Sequence, residues 1–247
     1  MAIGVRIAVL ADVHGNAPAL RAVLAEVSEA RADAIVVAGD VVGGPQPREA
    51  LELLAARPEP VRWIAGNAEH EALAVLAGRA VGDDPPGRAA RWSAAALDAG
   101  WEAAIASWPI RDTLDGVLFC HGSPRRVDEV LTRATPDDVL RDALAGVGES
   151  LVVGGHTHQQ FRRGSYVNAG SVGRPYEGRP GAFWLLLEDG VPELRETAYD
   201  LEAAAAELRA TGAPDVEELL SESLLDPVDA AEVTAVFEFT AGRAPVP

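Results

Sequence analysis

The stretch RIAVLADVHGN, residues 6–16, decides the fold of this chain. Its first half is a short apolar run that ends at Asp12, which is typical of a buried strand. Asn16 can cap a following helix, because the apolar residues at 20, 23, 24 and 27 have helical spacing. The next apolar run, 34–38, ends in Gly39-Asp40. These segments predict a strand–helix–strand unit and therefore a parallel sheet.

The same arrangement recurs along the chain. We expect helices over 48–56, 69–78, 88–108 and 136–145, and further strands over 61–65, 116–120 and 150–153. Antiparallel strands are expected over 160–168, 182–188 and 191–198, because Gly164 and Gly190 mark tight turns between apolar runs. Helix resumes at Leu201, with a break near 212–214, and the last residues, 244–247, are expected to be frayed. The predicted organisation is one domain over 1–225, followed by a C-terminal helical extension and tail over 226–247.

Composition excludes several classes of function. The 247 residues are 48% hydrophobic and carry a net charge of −17, which disfavours nucleic acid as a partner. All 21 basic residues are arginine, so Schiff-base and P-loop lysine chemistry are excluded. The single cysteine, Cys120, fits a reducing cytoplasm, and no apolar run reaches membrane length. We therefore expect a cytoplasmic protein without a membrane partner; its oligomeric state cannot be inferred from the sequence.

Polar residues follow the ends of the predicted strands. In an open α/β sheet, ligands bind beyond the carboxyl ends of the strands, so these residues are expected to gather at one edge. Carboxylate and amide oxygens with imidazole nitrogens suit Zn, Mn or Fe. The candidate metal ligands are Asp12, His14, Asp40, Asn67, His121, His156 and His158.

The order of these motifs resembles the calcineurin-like metallophosphoesterases, in particular their small bacterial and archaeal phosphodiesterase branch. The motifs that carry the resemblance are Asp12-Val13-His14-Gly15-Asn16, Gly39-Asp40, Gly66-Asn67, His121-Gly122 and Gly155-His156-Thr157-His158. The resemblance implies an α/β fold, a four-layer α/β/β/α sandwich of two mixed sheets.

The resemblance also implies an activity, namely hydrolysis of a phosphodiester or phosphomonoester with two divalent or trivalent transition-metal ions (Mn, Fe or Zn). Asp12, His14 and His158 would hold one ion. Asn67, His121 and His156 would hold the other, and Asp40 would bridge them. A hydroxide shared by the ions would attack phosphorus, so that Asp40, Asn67 and His121 are the candidate catalytic residues.

The chain departs from the family pattern at one position. Many relatives have Gly-Asn-His before an acidic residue, whereas this chain has Gly66-Asn67-Ala68-Glu69. The missing histidine would protonate the leaving group, a contribution worth about 10²–10⁴-fold. His70 is a substitute only if its side chain turns towards the site. We therefore expect aryl phosphates to be cleaved far faster than alkyl phosphates.

Three further residues are candidates for binding a small phosphate-ester substrate: Arg125, Ser171 and Arg174. The first alternative function is a catalytically weak or inactive member of the same fold that serves as an interaction scaffold, which Ala68 favours. A lactamase-like metallohydrolase is disfavoured, because the chain has no His-x-His-x-Asp-His string. A nuclease of the same fold is compatible with the ligands, although the acidic charge disfavours it.

Overall fold

A computed structural model describes residues 5–243, so the predicted frayed tail at 244–247 lies outside the described residues. The strands within this range are β1 Arg6–Leu10, β2 Ala34–Ala38, β3 Val61–Ile64, β4 Arg111–Leu114, β5 Val117–Cys120, β6 Leu151–Gly154, β7 Gln160–Arg163, β8 Tyr166–Ala169, β9 Ala182–Glu188 and β10 Val191–Thr197. The helices are α1 Ala17–Glu29, α2 Pro47–Ala55, α3 Asn67–Leu76, α4 Pro85–Ala96, α5 Ala99–Ala106, α6 Asp137–Ala143, α7 Leu201–Ala210, α8 Val216–Leu220 and α9 Ala230–Thr240, with a π-helical turn at Ser221–Leu225 between the last two.

The strands form two five-stranded sheets, with orders β10-β9-β1-β2-β3 and β4-β5-β6-β8-β7. The predicted parallel pairing holds for β1 with β2 and β2 with β3, and also for β5, β6 and β8. It is incomplete at the edges, where β9, β10, β4 and β7 run antiparallel to their neighbours. Both sheets are therefore mixed.

The sheets pack face to face with helices outside. Alternate residues of β1 point to opposite faces, as the pleat requires. Ile7 and Val9 enter the core between the sheets, together with Phe119 and Val153 of the second sheet. Leu10 instead packs in the core under the helices that cover the first sheet, and α6 covers the second sheet. This arrangement is the predicted four-layer α/β/β/α sandwich.

One predicted helix was wrong in detail. The helix expected over 88–108 is two helices, because Asp98 breaks the alanine-rich run and caps α5, its side chain accepting a bond from Trp101 N at 3.0 Å. The tight turn predicted at Gly164 within 160–168 is confirmed, since β7 and β8 form an antiparallel hairpin that turns there with a φ of +57°. The edge strand β4 was not predicted, because its sequence, RDTL, carries only one apolar side chain.

The C-terminal helices pack onto the sandwich rather than extending from it. Leu208 of α7 and Leu220 of α8 share a small core with Leu224. Glu238 of α9 is buried and accepts hydrogen bonds from Thr132 and Thr135, at 2.6 and 3.0 Å. The domain boundary at residue 225 stays a prediction. No helix within residues 5–243 has the length and apolar character needed to cross a membrane.

Candidate metal centre

The candidate ligands lie in loops at the carboxyl ends of four central strands and at the start of α3. Asp12 and His14 follow β1, Asp40 follows β2 and Asn67 is the first residue of α3. The second sheet contributes three histidines: His121 follows β5, while His156 and His158 follow β6. The two sheets therefore present their ligand loops at a common edge, as the sequence predicted.

Six of the seven candidates form two groups in which the possible ligand atoms lie within 4.8 Å of one another. The first group is Asp12, His14 and His158, and the second is Asp40, His121 and His156. Asn67 joins the second group, since its Oδ1 lies 3.2 Å from His121 Nε2.

The groups adjoin each other through the Asp40 carboxylate. Asp40 Oδ2 lies 3.4 Å from Nε2 of His121 in its own group and 3.7 Å from Nε2 of His14 in the first group. The other oxygen, Oδ1, accepts a hydrogen bond from Ala68 N at 2.8 Å. Asp40 therefore faces both groups, and Asp12 does so at a slightly longer distance, with its Oδ1 3.8 Å from Nε2 of His121.

The polar atoms of the first group lack the partners that burial normally requires. Asp12 Oδ1 is buried and accepts no hydrogen bond within the described chain, although Nε2 of His158 lies 3.2 Å from it. The Nε2 atoms of His14 and His158 face each other at 3.1 Å. A buried carboxylate oxygen without a donor is costly, and a cation among these atoms would satisfy it. The donor set therefore fits a metal ion.

Backbone carbonyls orient two of the imidazoles. His121 Nδ1 donates to Ala38 O at 2.7 Å, and His158 Nδ1 donates to Arg174 O at 2.6 Å. A neutral ring that donates from Nδ1 has its lone pair on Nε2, the nitrogen that faces the carboxylates. Such bonds are typical of the outer partners that orient histidine ligands.

The backbone of the ligand loops lies in an unfavourable region. Nine non-glycine residues between 5 and 243 have positive φ, and five of them are candidate ligands: Asp12, His14, Asp40, His156 and His158, with φ between 45° and 71°. This left-handed region is rare for residues with a side chain and is concentrated at functional sites. The surrounding fold must therefore hold these loops against their local preference.

Burial and the two carboxylates set the protonation of the site. Burial opposes charge on Asp40 most strongly, but His121 outweighs it and keeps the pKa of Asp40 below its usual range. Burial likewise lowers the pKa of His121, yet Asp40 and Asp12 outweigh it and raise that pKa to about 10. For His14 and His156, burial and the neighbouring histidines lower each pKa to about 4. Ionised carboxylates beside the neutral imidazoles of His14 and His156 suit a cation.

Glu69 organises the site and was missed as a functional residue. It is fully buried, and its Oε2 accepts hydrogen bonds from Asp40 N at 2.9 Å and Gly66 N at 2.8 Å, while Oε1 accepts from Val41 N at 2.8 Å. Burial, followed by the charge of Asp40, raises the pKa of Glu69 to about 7. The spacing of Gly66 and Glu69 fits half of a capping box, which was the available clue. Glu69 therefore joins the loop after β2 to the start of α3.

The structure places the three predicted substrate-binding residues differently. Arg125 pairs with Glu129 and Asp142 at 2.6 and 2.7 Å on the surface. Ser171 is buried, and its hydroxyl donates to Asp12 O at 2.7 Å. Neither arrangement supports direct contact with a substrate. Arg174 does line a cavity beside the candidate ligands.

That cavity has a volume of about 210 Å³. His14 and Asn67 line it on the side of the ligands, together with Ala68. His70, the alternative to the missing histidine, is exposed and does not line the cavity. Its role as a substitute is therefore unsupported, because its side chain turns towards solvent.

Comparison with known proteins agrees with this geometry. A sequence model described as calcineurin-like phosphoesterase matches residues 5–160. The chain is similar to a metallophosphoesterase from Sphaerobacter thermophilus, with 26% identity, a TM-score of 0.70 and coverage of 88% of this chain and 97% of that one. A hypothetical protein from Pyrococcus horikoshii OT3, 20% identical, has the same fold, with a TM-score of 0.75 and the same coverage of 88% and 97%. No curated protein matches the sequence.

Proposed function

This chain belongs to the calcineurin-like phosphoesterase family, and we propose that it hydrolyses a small phosphate ester, a diester or a monoester, with two bound transition-metal ions. The observation that carries the proposal is the meeting of two largely buried His/Asp groups at one sheet edge, with a buried Asp12 oxygen that has no hydrogen-bond donor among residues 5–243. Manganese, iron and zinc all suit this mixture of oxygen and nitrogen ligands.

The residues divide between the two proposed ions by their positions. Asp12, His14 and His158 would hold the first ion, and Asn67, His121 and His156 the second. Asp40, which faces both groups, would contact both ions. When bound, such a pair supplies Lewis acidity at the phosphoryl oxygens and lowers the pKa of a shared water.

The chain's own residues would bind and orient the ester. Arg174 lines the cavity beside the ligands, and its guanidinium would pair with a phosphoryl oxygen. Arg174 also forms an ion pair with Glu222, with 3.0 Å between Arg174 Nη2 and Glu222 Oε2. His14 and Asn67, which line the same cavity, are among the residues that would hold the ions.

No imidazole occupies the position of the missing histidine, because Ala68 lines the cavity there. Without that proton donor the leaving group departs as its anion or takes a proton from water. We therefore expect an aryl phosphodiester to be cleaved at least about 100-fold faster than a dialkyl phosphodiester, given the usual size of general acid catalysis. Comparable rates for both, measured with Mn²⁺ present, would contradict this account of Ala68.

An inactive scaffold is the second candidate, and the alanine at position 68 is the observation that favours it. The two candidates separate in one assay, hydrolysis of bis(p-nitrophenyl) phosphate by the Mn²⁺-loaded protein. The enzyme proposal requires turnover that a chelator removes and that added Mn²⁺ restores. A protein that binds Mn²⁺ but shows no turnover would establish the scaffold instead.

A further inference from the structure

Small residues keep open the cavity beside the candidate ligands. Ala68 lies at its wall, and Gly43 faces both Ala68 and His14. A Cβ added at Gly43 would come within 3.0 Å of Ala68 Cβ and 3.1 Å of His14 Nδ1. Pro85, Ala89 and Ala90 of α4 form an apolar wall. The cavity therefore has room for an organic group next to the position where phosphate would bind.

One carboxylate lines this cavity, that of Glu71. On α3 it lies four residues after Asn67 and three after Ala68, so the three side chains share one helix face. Glu71 is half-buried. Other helix glutamates, such as Glu49 and Glu207, pair with arginines. Between residues 5 and 243, no arginine or histidine forms an ion pair with Glu71, even though Arg174 lines the same cavity.

A carboxylate beside a phosphate site is unfavourable unless the bound ester compensates its negative charge. It repels the phosphoryl oxygens, and in a half-buried position this repulsion is less screened than on the surface. The repulsion becomes attraction if the alcohol part of the ester carries a positive charge. An apolar wall of proline and alanine next to a carboxylate is also the environment that suits an alkylated ammonium group, whose charge is surrounded by carbon.

We propose that this cavity binds the alcohol part of a phosphate ester whose alcohol carries an ammonium cation, and that Glu71 pairs with that cation. The inference rests on the proposed phosphoesterase function and names its substrate class. Arg174, which also pairs with Glu222, would face the phosphate and Glu71 the ammonium group, so the two opposite charges of the cavity match the two charges of a zwitterionic ester. Glu71 is then a specificity-determining residue.

The test compares two inhibitors of equal shape and different charge. Phosphorylcholine and 3,3-dimethylbutyl phosphate differ in a quaternary nitrogen against a quaternary carbon. Each is assayed as a competitive inhibitor of bis(p-nitrophenyl) phosphate hydrolysis by the Mn²⁺-loaded protein. We expect phosphorylcholine to bind roughly tenfold more tightly, the usual size of one charge-assisted contact. Equal inhibition constants would refute the inference alone, whereas absence of reporter hydrolysis would refute the proposed function.

Two variants test whether Glu71 causes the preference for the charged inhibitor. In Glu71→Gln the ratio of the two inhibition constants should fall to about one, and a ratio cancels any common effect on metal binding. Glu102→Gln removes the same charge from an exposed position on α5 and should keep the wild-type ratio. A tenfold preference that survives in Glu71→Gln would overturn the assignment. If that variant turns over no reporter, calorimetric titration of its Mn²⁺-loaded form with both esters gives the same ratio.

Discussion

The floor and the walls of the candidate site are held together in different ways. The floor, which comprises the ligand loops, is fixed by buried backbone hydrogen bonds such as Asp12 N to Gly39 O at 3.1 Å and His14 N to Asp40 O at 2.9 Å. The walls, which comprise α4 and Arg174, are tied to residues 215–222 by ion pairs nearer the surface. Arg88 of α4 makes two 2.8 Å contacts with Asp215.

The difference separates two properties of the protein. Buried backbone bonds tolerate little change, so the geometry offered to metal ions depends on the whole fold. Partly exposed ion pairs contribute little to stability, so each pair can be substituted without loss of the fold. In the proposed function, metal binding and substrate choice would therefore depend on different parts of the molecule, and substitutions in each part should have different consequences.

The strongest test of the floor is Asp40→Asn. This change removes the charge of a carboxylate that faces both groups while keeping the shape of the side chain. We expect metal content to fall and kcat/KM to drop by about 10²–10³-fold, the effect of losing a few kcal/mol of Lewis-acid stabilisation. Circular dichroism should show an intact fold. Full turnover with two bound ions would disprove the bridging position of Asp40.

The next largest effect is expected at Glu69. Glu69→Ala leaves the buried amides of Asp40, Val41 and Gly66 without an acceptor. The free energy of unfolding of the metal-free protein should fall by about 3–5 kcal/mol, since each unsatisfied buried group costs about 1–3 kcal/mol and some relaxation is expected. Denaturant titration measures this loss. Glu52→Ala, which breaks only an exposed pair with Arg48, is the control, and an equal loss there would refute the role of Glu69.

A smaller effect, dependent on pH, is expected where α9 docks. Burial alone would raise the pKa of Glu238, but bonds from Arg243, Thr132 and Thr135 outweigh it and lower the pKa below its ordinary 4.5. The ionised form therefore stabilises the fold above pH 4.5, and this contribution is lost as pH falls through the lowered pKa. Between pH 7 and 4 the Tm of the wild type should fall by about 2–4 °C more than that of Glu238→Gln, which corresponds to about 1 kcal/mol. Parallel Tm curves would show that Glu238 titrates normally.

The smallest effect on stability is expected at the wall. Arg88→Ala should cost less than about 1 kcal/mol, because both side chains of the pair are about one-third exposed. The position of α4 at the cavity should nevertheless become less fixed, since α4 loses its ion pair with Asp215. KM for a small ester should rise while Mn²⁺ content stays constant. The exchanged pair Arg88→Asp with Asp215→Arg should restore KM, and failure to do so would show that the ion pair does not position α4.

The floor was also the part that the sequence made predictable. Asp12 and Asp40 each follow an uninterrupted apolar run, and a charged residue in that position can lie only where the strand leaves the core. The paired motif of His156 and His158 follows the same rule. The mixed order of the sheets was available only through the family resemblance, because the pairing of β9 with β1 joins residues far apart in sequence.

The walls were not predictable for a related reason. Nothing near Arg88 indicates that Asp215 is its partner, and nothing near Glu71 indicates a cavity shared with Arg174. Glu69 shows the intermediate case. Its spacing from Gly66 predicts a local cap, but its bonds to the loop after β2 depend on tertiary contacts. The strand β4 was missed because its register is set by its partner β5 rather than by its own residues.

The central position of β1 has a consequence for synthesis on the ribosome. Asp12 emerges early, but the strand that pairs with β1 on its second side, β9, follows about 180 residues later. The amides of Val172 and Gly173, which bond Ala11 O and Asp12 O, also arrive late. A nascent chain therefore contains its first candidate metal ligands long before the segments that position them have been synthesised. Metal uptake should mark the completion of folding rather than start it, and a truncated translation product should be unable to retain the ions.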